Sequence, residues 1–124
     1  MKEELQMATA TTADVDLGVL DEAASKLKLG WSELADICGV NESTLFRWRE
    51  RDNTPRALAR TRLTQLTELL QLLQRAFNGP DQARVWLRDS TPDSLGGKKT
   101  PLEIMRGGRI DRILALLELL LRGG

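Results

Sequence analysis

The sequence predicts an all-α fold, an N-terminal helix-turn-helix bundle followed by a small helical domain, and three observations carry that prediction. Leu supplies most of the apolar content, whereas only five of the 124 residues are aromatic and Tyr is absent. Leu, Ala, Glu, Arg and Gln are strong helix formers, and Val, a strand former, is sparse. Apolar residues recur at three-to-four spacing in successive segments, each bounded by Gly, Pro or Asn. A hydrophobic fraction of 41% is enough for a buried core.

Residues 1–15 are polar and patternless and read as an N-terminal arm. Leu17, Leu20, Ala24 and Leu27 predict a first helix over Leu17–Leu29, stopped by Gly30. Ser32 is the expected cap of a second helix that runs to Cys38 and ends at Gly39. Asn41 is the expected cap of a third, from Glu42 to about Arg51. After a loop at Asp52-Asn53, Thr54-Pro55 reads as a helix start with Pro in first position. Leu63, Leu66, Leu70, Leu73 and Phe77 then form one stripe that Asn78-Gly79 closes.

Pro80 opens a short helix carrying Val85, Trp86 and Leu87, and a turn-rich stretch covers Ser90 to Lys99. Thr100-Pro101-Leu102-Glu103 reads as a capping box, in which hydroxyl and carboxylate satisfy orphan backbone N–H groups. Gly107-Gly108 breaks the chain before a last helix, about Arg109 to Arg122. Ile110, Ile113, Leu114, Leu116, Leu117, Leu119, Leu120 and Leu121 cover most of it. So wide an apolar surface suits an interface with another protein, or a central helix enclosed by the others.

Charge and composition exclude several functions. The chain has no His and a single Cys, Cys38, so His-based triads, Cys/His zinc sites and internal disulfides are ruled out. No metal, no cofactor and no catalysis are expected. The start lacks the apolar run of a signal peptide, and Ile113–Leu121 is too short to span a bilayer, so a cytoplasmic protein without membrane attachment is expected. Acids and bases balance at 18 each, but unevenly. Met1–Phe46 holds three bases against nine acids, whereas Arg47–Arg62 holds six Arg against Glu50 and Asp52. That segment is a candidate phosphate-facing patch.

The window Trp31–Glu50 has the constraints of a helix-turn-helix. Ala35 is small where two helices would touch, and Gly39 supplies positive φ at the turn. Leu34, Cys38, Val40, Leu45 and Trp48 fill the inward positions. Asn41, Glu42, Ser43, Phe46, Arg47 and Glu50 are left facing outward on the helix that would enter the major groove. There Arg47 suits guanine, Phe46 a thymine methyl and Ser43 a base or phosphate. Arg49, Arg51, Arg56 and Arg60 suit phosphates, with double-stranded operator DNA the expected ligand and a homodimer the expected binding unit.

The residues also resemble a known family. Leu34-Ala35, Gly39-Val40, Thr44-Leu45, Arg47-Trp48 and Pro55 look like an Xre-like half. Trp86-Leu87, Leu95-Gly96-Gly97, Thr100-Pro101-Leu102-Glu103, Gly107-Gly108 and a Leu-rich helix ending in Gly123 look like the toxin-binding half of Xre/MbcA/ParS antitoxins. The resemblance covers roughly Leu17 to Gly123. It implies a dimer that binds a RES-domain, NAD-consuming toxin and represses its own operon. With the polar arm over 1–15, the expected organisation is a DNA-binding domain over 16–62 and a toxin-binding and dimerisation domain over 63–124. At matching positions the resemblance points to Leu121, Arg122, Gly123 and Gly124 as toxin contacts, and Trp86, Leu117 and Leu120 are further candidates for that surface. The alternative is a stand-alone transcriptional regulator whose C-terminal half only dimerises.

Overall fold

The computed structural model describes residues 17–50 and 54–123. The expected arm, the Asp52-Asn53 loop, and the site candidates Arg51 and Gly124 lie outside the described residues. Among those described there are seven α-helices, one 3-10 turn and no strand.

Helix α1 (Gly18–Lys26) buries Val19, Leu20 and Ala23. It ends three residues earlier than the spacing predicted, because Leu27 caps it and Lys28 turns left-handed at φ 56°. Continued helix would point Leu27 and Leu29 to opposite sides. The reversal at Lys28 lets both enter the core, where they are 2% and 4% exposed.

Gly30 therefore starts the next helix rather than stopping the first. It is the extended N-cap of α2 (Trp31–Cys38), and its N–H donates to Glu33 Oε1 at 2.9 Å. Ser32, the expected cap, falls inside the helix, since Glu33 reaches back and supplies the capping acceptor. Gly39, at φ 76°, closes α2 with its N–H on the Ala35 and Asp36 carbonyls. Helix α3 (Glu42–Arg49) begins as expected at Asn41, whose Oδ1 accepts the Thr44 N–H at 2.9 Å. Leu45 and Trp48 turn inward.

Helix α4 (Ala57–Ala76) starts two residues after Pro55, not on it. The Pro55 ring is buried and the extended Arg56 is the N-cap. This is the central helix: it packs on α1 and α2 and on the two later helices α5 (Pro80–Asp89) and α7 (Ile110–Leu121), most extensively on α7. That role explains why Leu69 and Leu72 are buried beside Leu63, Leu66 and Leu73, a wider stripe than one amphipathic face. The expected domain seam at 62–63 falls within α4.

Pro80 occupies the first turn of α5, as predicted. The turn-rich stretch contains a 3-10 turn at Asp93–Leu95. Helix α6 (Pro101–Arg106) has the expected capping box: Thr100 N–H donates to Glu103 Oε1 at 2.8 Å and Glu103 N–H to Thr100 Oγ1 at 3.2 Å. Gly108, at φ 92°, redirects the chain into α7 beside the Arg62 guanidinium. One continuous apolar core joins all seven helices, and no buried polar or charged residue occurs among those described.

Candidate interaction surfaces

Two exposed faces carry the residues singled out from the sequence. The first is α3. Asn41, Glu42, Ser43, Phe46, Arg47, Arg49 and Glu50 are all exposed, and the ring of Phe46 is 45% accessible despite its apolar character. Asn41 is occupied locally, because its Oδ1 accepts from Thr44 N–H, Thr44 Oγ1 and Ser43 Oγ, each at 2.9 Å. Arg49 also has partners within the molecule. Its guanidinium lies 4.8 Å over the Trp31 ring, and Nη2 is 3.3 Å from Asp21 Oδ1. Arg56 is exposed and Arg60 half-buried at the start of α4.

The second face is the C-terminal end of α7. Ile110, Ile113, Leu114 and Leu117 are buried against the core, so Leu117 lies inside the fold. Leu119 and Leu120 remain 49% and 45% exposed. Leu116, half-buried, lies three and four residues before them and extends the same strip. Leu121 is half-buried, and Arg122 and Gly123 are exposed. Trp86, from α5, is half-buried with its ring 5.6 Å from that of Phe77. The structure thus brings Leu120, Leu121, Arg122 and Gly123 together and sets Trp86 on a different helix. Leu119, part of the wide apolar helix expected from the sequence, joins this face by its exposure.

Ion pairs tie the two halves of the molecule together. Arg88 on α5 grips Glu33 on α2 through Nη1–Oε2 at 3.0 Å and Nη2–Oε1 at 2.8 Å, and Nη2 also donates to the Lys28 carbonyl at 2.8 Å. Arg88's hydrogen bonds hold the Glu33 carboxyl below its ordinary range, against the opposing effect of partial burial. Arg106 on α6 pairs with Asp36, Nη2–Oδ2 at 2.7 Å. Arg62 on α4 donates to the Ile37 carbonyl at 3.1 Å, near the C-terminal end of α2. None of these contacts has a signature in local spacing. Arg62, an acceptable phosphate ligand by charge, is turned inward by this bond.

Among the described residues no group of three His, Cys, Asp or Glu side chains could hold a metal, and no helix is long and apolar enough to cross a membrane. Burial pushes the Cys38 thiol up to about 12, so it stays protonated and unreactive at neutral pH.

No family model matches the chain. Among characterised proteins it is similar to the mycobacterial cidal antitoxin MbcA of Mycobacterium tuberculosis and of Mycobacterium bovis. Each is 29% identical over 101 residues, covering 82% of this chain and 87% of the relative. Its fold also matches a chain in the crystal structure of the M. tuberculosis MbcT–MbcA toxin–antitoxin complex. That match has a TM-score of 0.64 and 27% identity, and covers 86% of this chain and 94% of the other. The chain is a homologue of MbcA. A likeness of 101 residues is far longer than α1 to α3, so it extends into the helices that follow them.

Proposed function

We propose that this chain is an antitoxin that neutralises a protein toxin by binding it and performs no chemistry of its own. The observation that carries the proposal is the similarity to MbcA along most of both chains, matched by the fold likeness to a chain of the MbcT–MbcA complex. The toxin is a RES-domain, NAD-consuming protein, in keeping with the family resemblance in the motifs of the C-terminal half. The contact is made by the end of α7. Leu119, Leu120 and Leu121 supply exposed or half-exposed apolar area, Arg122 supplies a positive charge beside them, and Gly123 and Gly124 follow it in sequence. Burying such leucines at a partner's cleft excludes water and substrate alike. Leu117 supports this end from within the core, and Trp86, on α5, is a separate candidate contact.

The α3 face is the second functional surface. Arg47, Phe46, Ser43, Glu42 and Glu50 face the base edges of double-stranded operator DNA, and Arg56 and Arg60 hold phosphates. Two copies of the chain act together there, since one short recognition helix gives limited affinity. The chain thereby represses its own operon. Residues 16–62 serve DNA and residues 63–124 serve toxin and dimer, with α4 common to both.

The test is co-expression with the protein encoded by the neighbouring reading frame. That protein alone should arrest growth; this chain should restore growth and co-purify with it, and truncation after Glu118 should abolish both effects. A neighbour that is harmless, or that arrests growth equally with and without this chain, would overturn the reading.

A further inference from the structure

Trp31 packs against the edge of the apolar core, and two side chains of α3 converge on its ring, one of them held by a third. The Phe46 ring sits 5.9 Å away, tilted by 46°. The Arg49 guanidinium covers the indole face at 4.8 Å, and Asp21 on α1 holds that guanidinium from beyond at 3.3 Å. Phe46 and Arg49 are three residues apart on α3 and so project from one side of it. The indole, at the first residue of α2, lies beside both of them.

An exposed phenylalanine ordinarily lies flat against its own helix, covering apolar area. Here the neighbouring surface is already filled by the Trp31–Arg49 stack, whose cation–π contact and ion pair fix it from two directions. Phe46 is thereby supported along one edge and left accessible on the remainder. Ser43 and Arg47, exposed on the same helix, are groups suited to base edges and phosphates. An apolar ring presented at that level of a major groove meets one apolar feature, the 5-methyl group of a pyrimidine.

We propose that Trp31 is a positioning residue that sets Phe46 against a thymine 5-methyl group, with Arg49 and Asp21 acting as the strut that fixes Trp31. The inference rests on the DNA-binding part of the function proposed above. It assigns Arg49 to the internal support of the reading helix, which leaves phosphate contacts to Arg56 and Arg60.

The experiment uses the full chain and duplexes from the region upstream of its own reading frame, in which each thymine is replaced in turn by deoxyuridine. Losing one buried methyl contact should weaken binding about fourfold at one thymine in each half-site. Phe46→Ala, an exposed substitution that leaves the core intact, should bring the thymine-to-uracil ratio to about one. Trp31→Ala should do the same, and Trp31→Phe should restore the ratio because a ring again backs Phe46. A merely structural role for Trp31 would change affinity for both duplexes and leave their ratio at about fourfold, which overturns the proposal. Binding by the unaltered chain with no thymine-to-uracil difference anywhere also overturns it while sparing the DNA-binding reading. Absence of any upstream duplex binding at low salt overturns both. Phe46→Ala that weakens capture of the toxin and leaves DNA binding untouched would identify this face as a protein contact, again overturning it.

Discussion

Arg88 holds Glu33 across 55 residues of sequence with two parallel hydrogen bonds, 3.0 and 2.8 Å long, while the same carboxylate accepts the Gly30 N–H that begins α2. One side chain thus caps α2 and anchors the later helix α5 to it. The Glu33 side chain is 17% exposed and that of Arg88 36%, so water screens the pair in part. We expect Arg88→Met to lower the unfolding free energy by roughly 1–2 kcal/mol, the range for a charge-assisted hydrogen bond discounted for that screening. Denaturant titration of Arg88→Met, Glu33→Gln and the double variant checks it. The two single losses should not add, because each removes the same contact.

The same pair predicts how stability responds to acid. The Glu33 carboxyl is held below its ordinary value of 4.5, chiefly by the hydrogen bonds from Arg88. A group whose folded-state pKa is depressed stabilises the fold above its unfolded-state pKa, and that contribution is lost as pH falls through the folded-state value. Unfolding free energy measured from pH 7 down to pH 3 should therefore fall more steeply in the unaltered chain than in Glu33→Gln, with the difference appearing from about pH 5 downward. Parallel curves would show that the carboxylate gains nothing from Arg88.

Much of the fold was legible because the signals were local. Gly39 meets a left-handed turn, Asn41 and Thr100 cap the helices that follow them, and Pro80 sits in a first turn. Each needs only its neighbours in sequence. The turn at Lys28 was not legible, because a non-glycine residue at φ 56° is imposed by the burial of Leu27 and Leu29 rather than by its own preference. Arg88–Glu33 and Arg106–Asp36 were equally hidden, since pairs 55 and 70 residues apart leave no periodicity. On the α3 face the outward set followed from the inward position of Leu45 and Trp48. The stacking of Arg49 on Trp31 did not, because it depends on the crossing of α2 and α3.

Cys38 should be silent in the native state. It is 1% exposed, and burial pushes its thiol up to about 12, so neither access nor a thiolate is available to a disulfide reagent. One equivalent of thiol should react in denaturant and essentially none without it. Rapid reaction of the folded chain would mean that the packing between α2 and the Arg62 end of α4 opens readily.

Arg47 is exposed on α3, and replacing it tests base reading separately from support. Arg47→Ala should cost about 1–3 kcal/mol in operator affinity and relax base preference at one position. Arg56→Ala should instead weaken binding uniformly across sequences and lower the slope of log affinity against log salt by about one. Footprinting and salt titration distinguish the two. Identical sequence preferences for Arg47→Ala and the unaltered chain would remove Arg47 from the base-reading set.

The last helix allows a separation of folding from partner binding, because Leu117 and Leu120 are three residues apart yet differ in burial. Leu117 is fully buried and Leu120 is 45% exposed. Leu117→Ala should cost about 2–5 kcal/mol of stability, the sum of lost burial and the cavity left behind. Leu120→Asp should cost less, about 1 kcal/mol, because the side chain is already partly exposed and the penalty is that of a weaker helix former and a negative charge in the last turn of α7. A charge at the centre of an apolar contact should nonetheless weaken toxin capture by more than tenfold. Thermal melts and pull-down on the same two proteins decide it. If Leu120→Asp retains full capture and full neutralisation, the toxin is held elsewhere, and the Leu116–Leu119–Leu120 strip would then be assigned to pairing between copies of the chain.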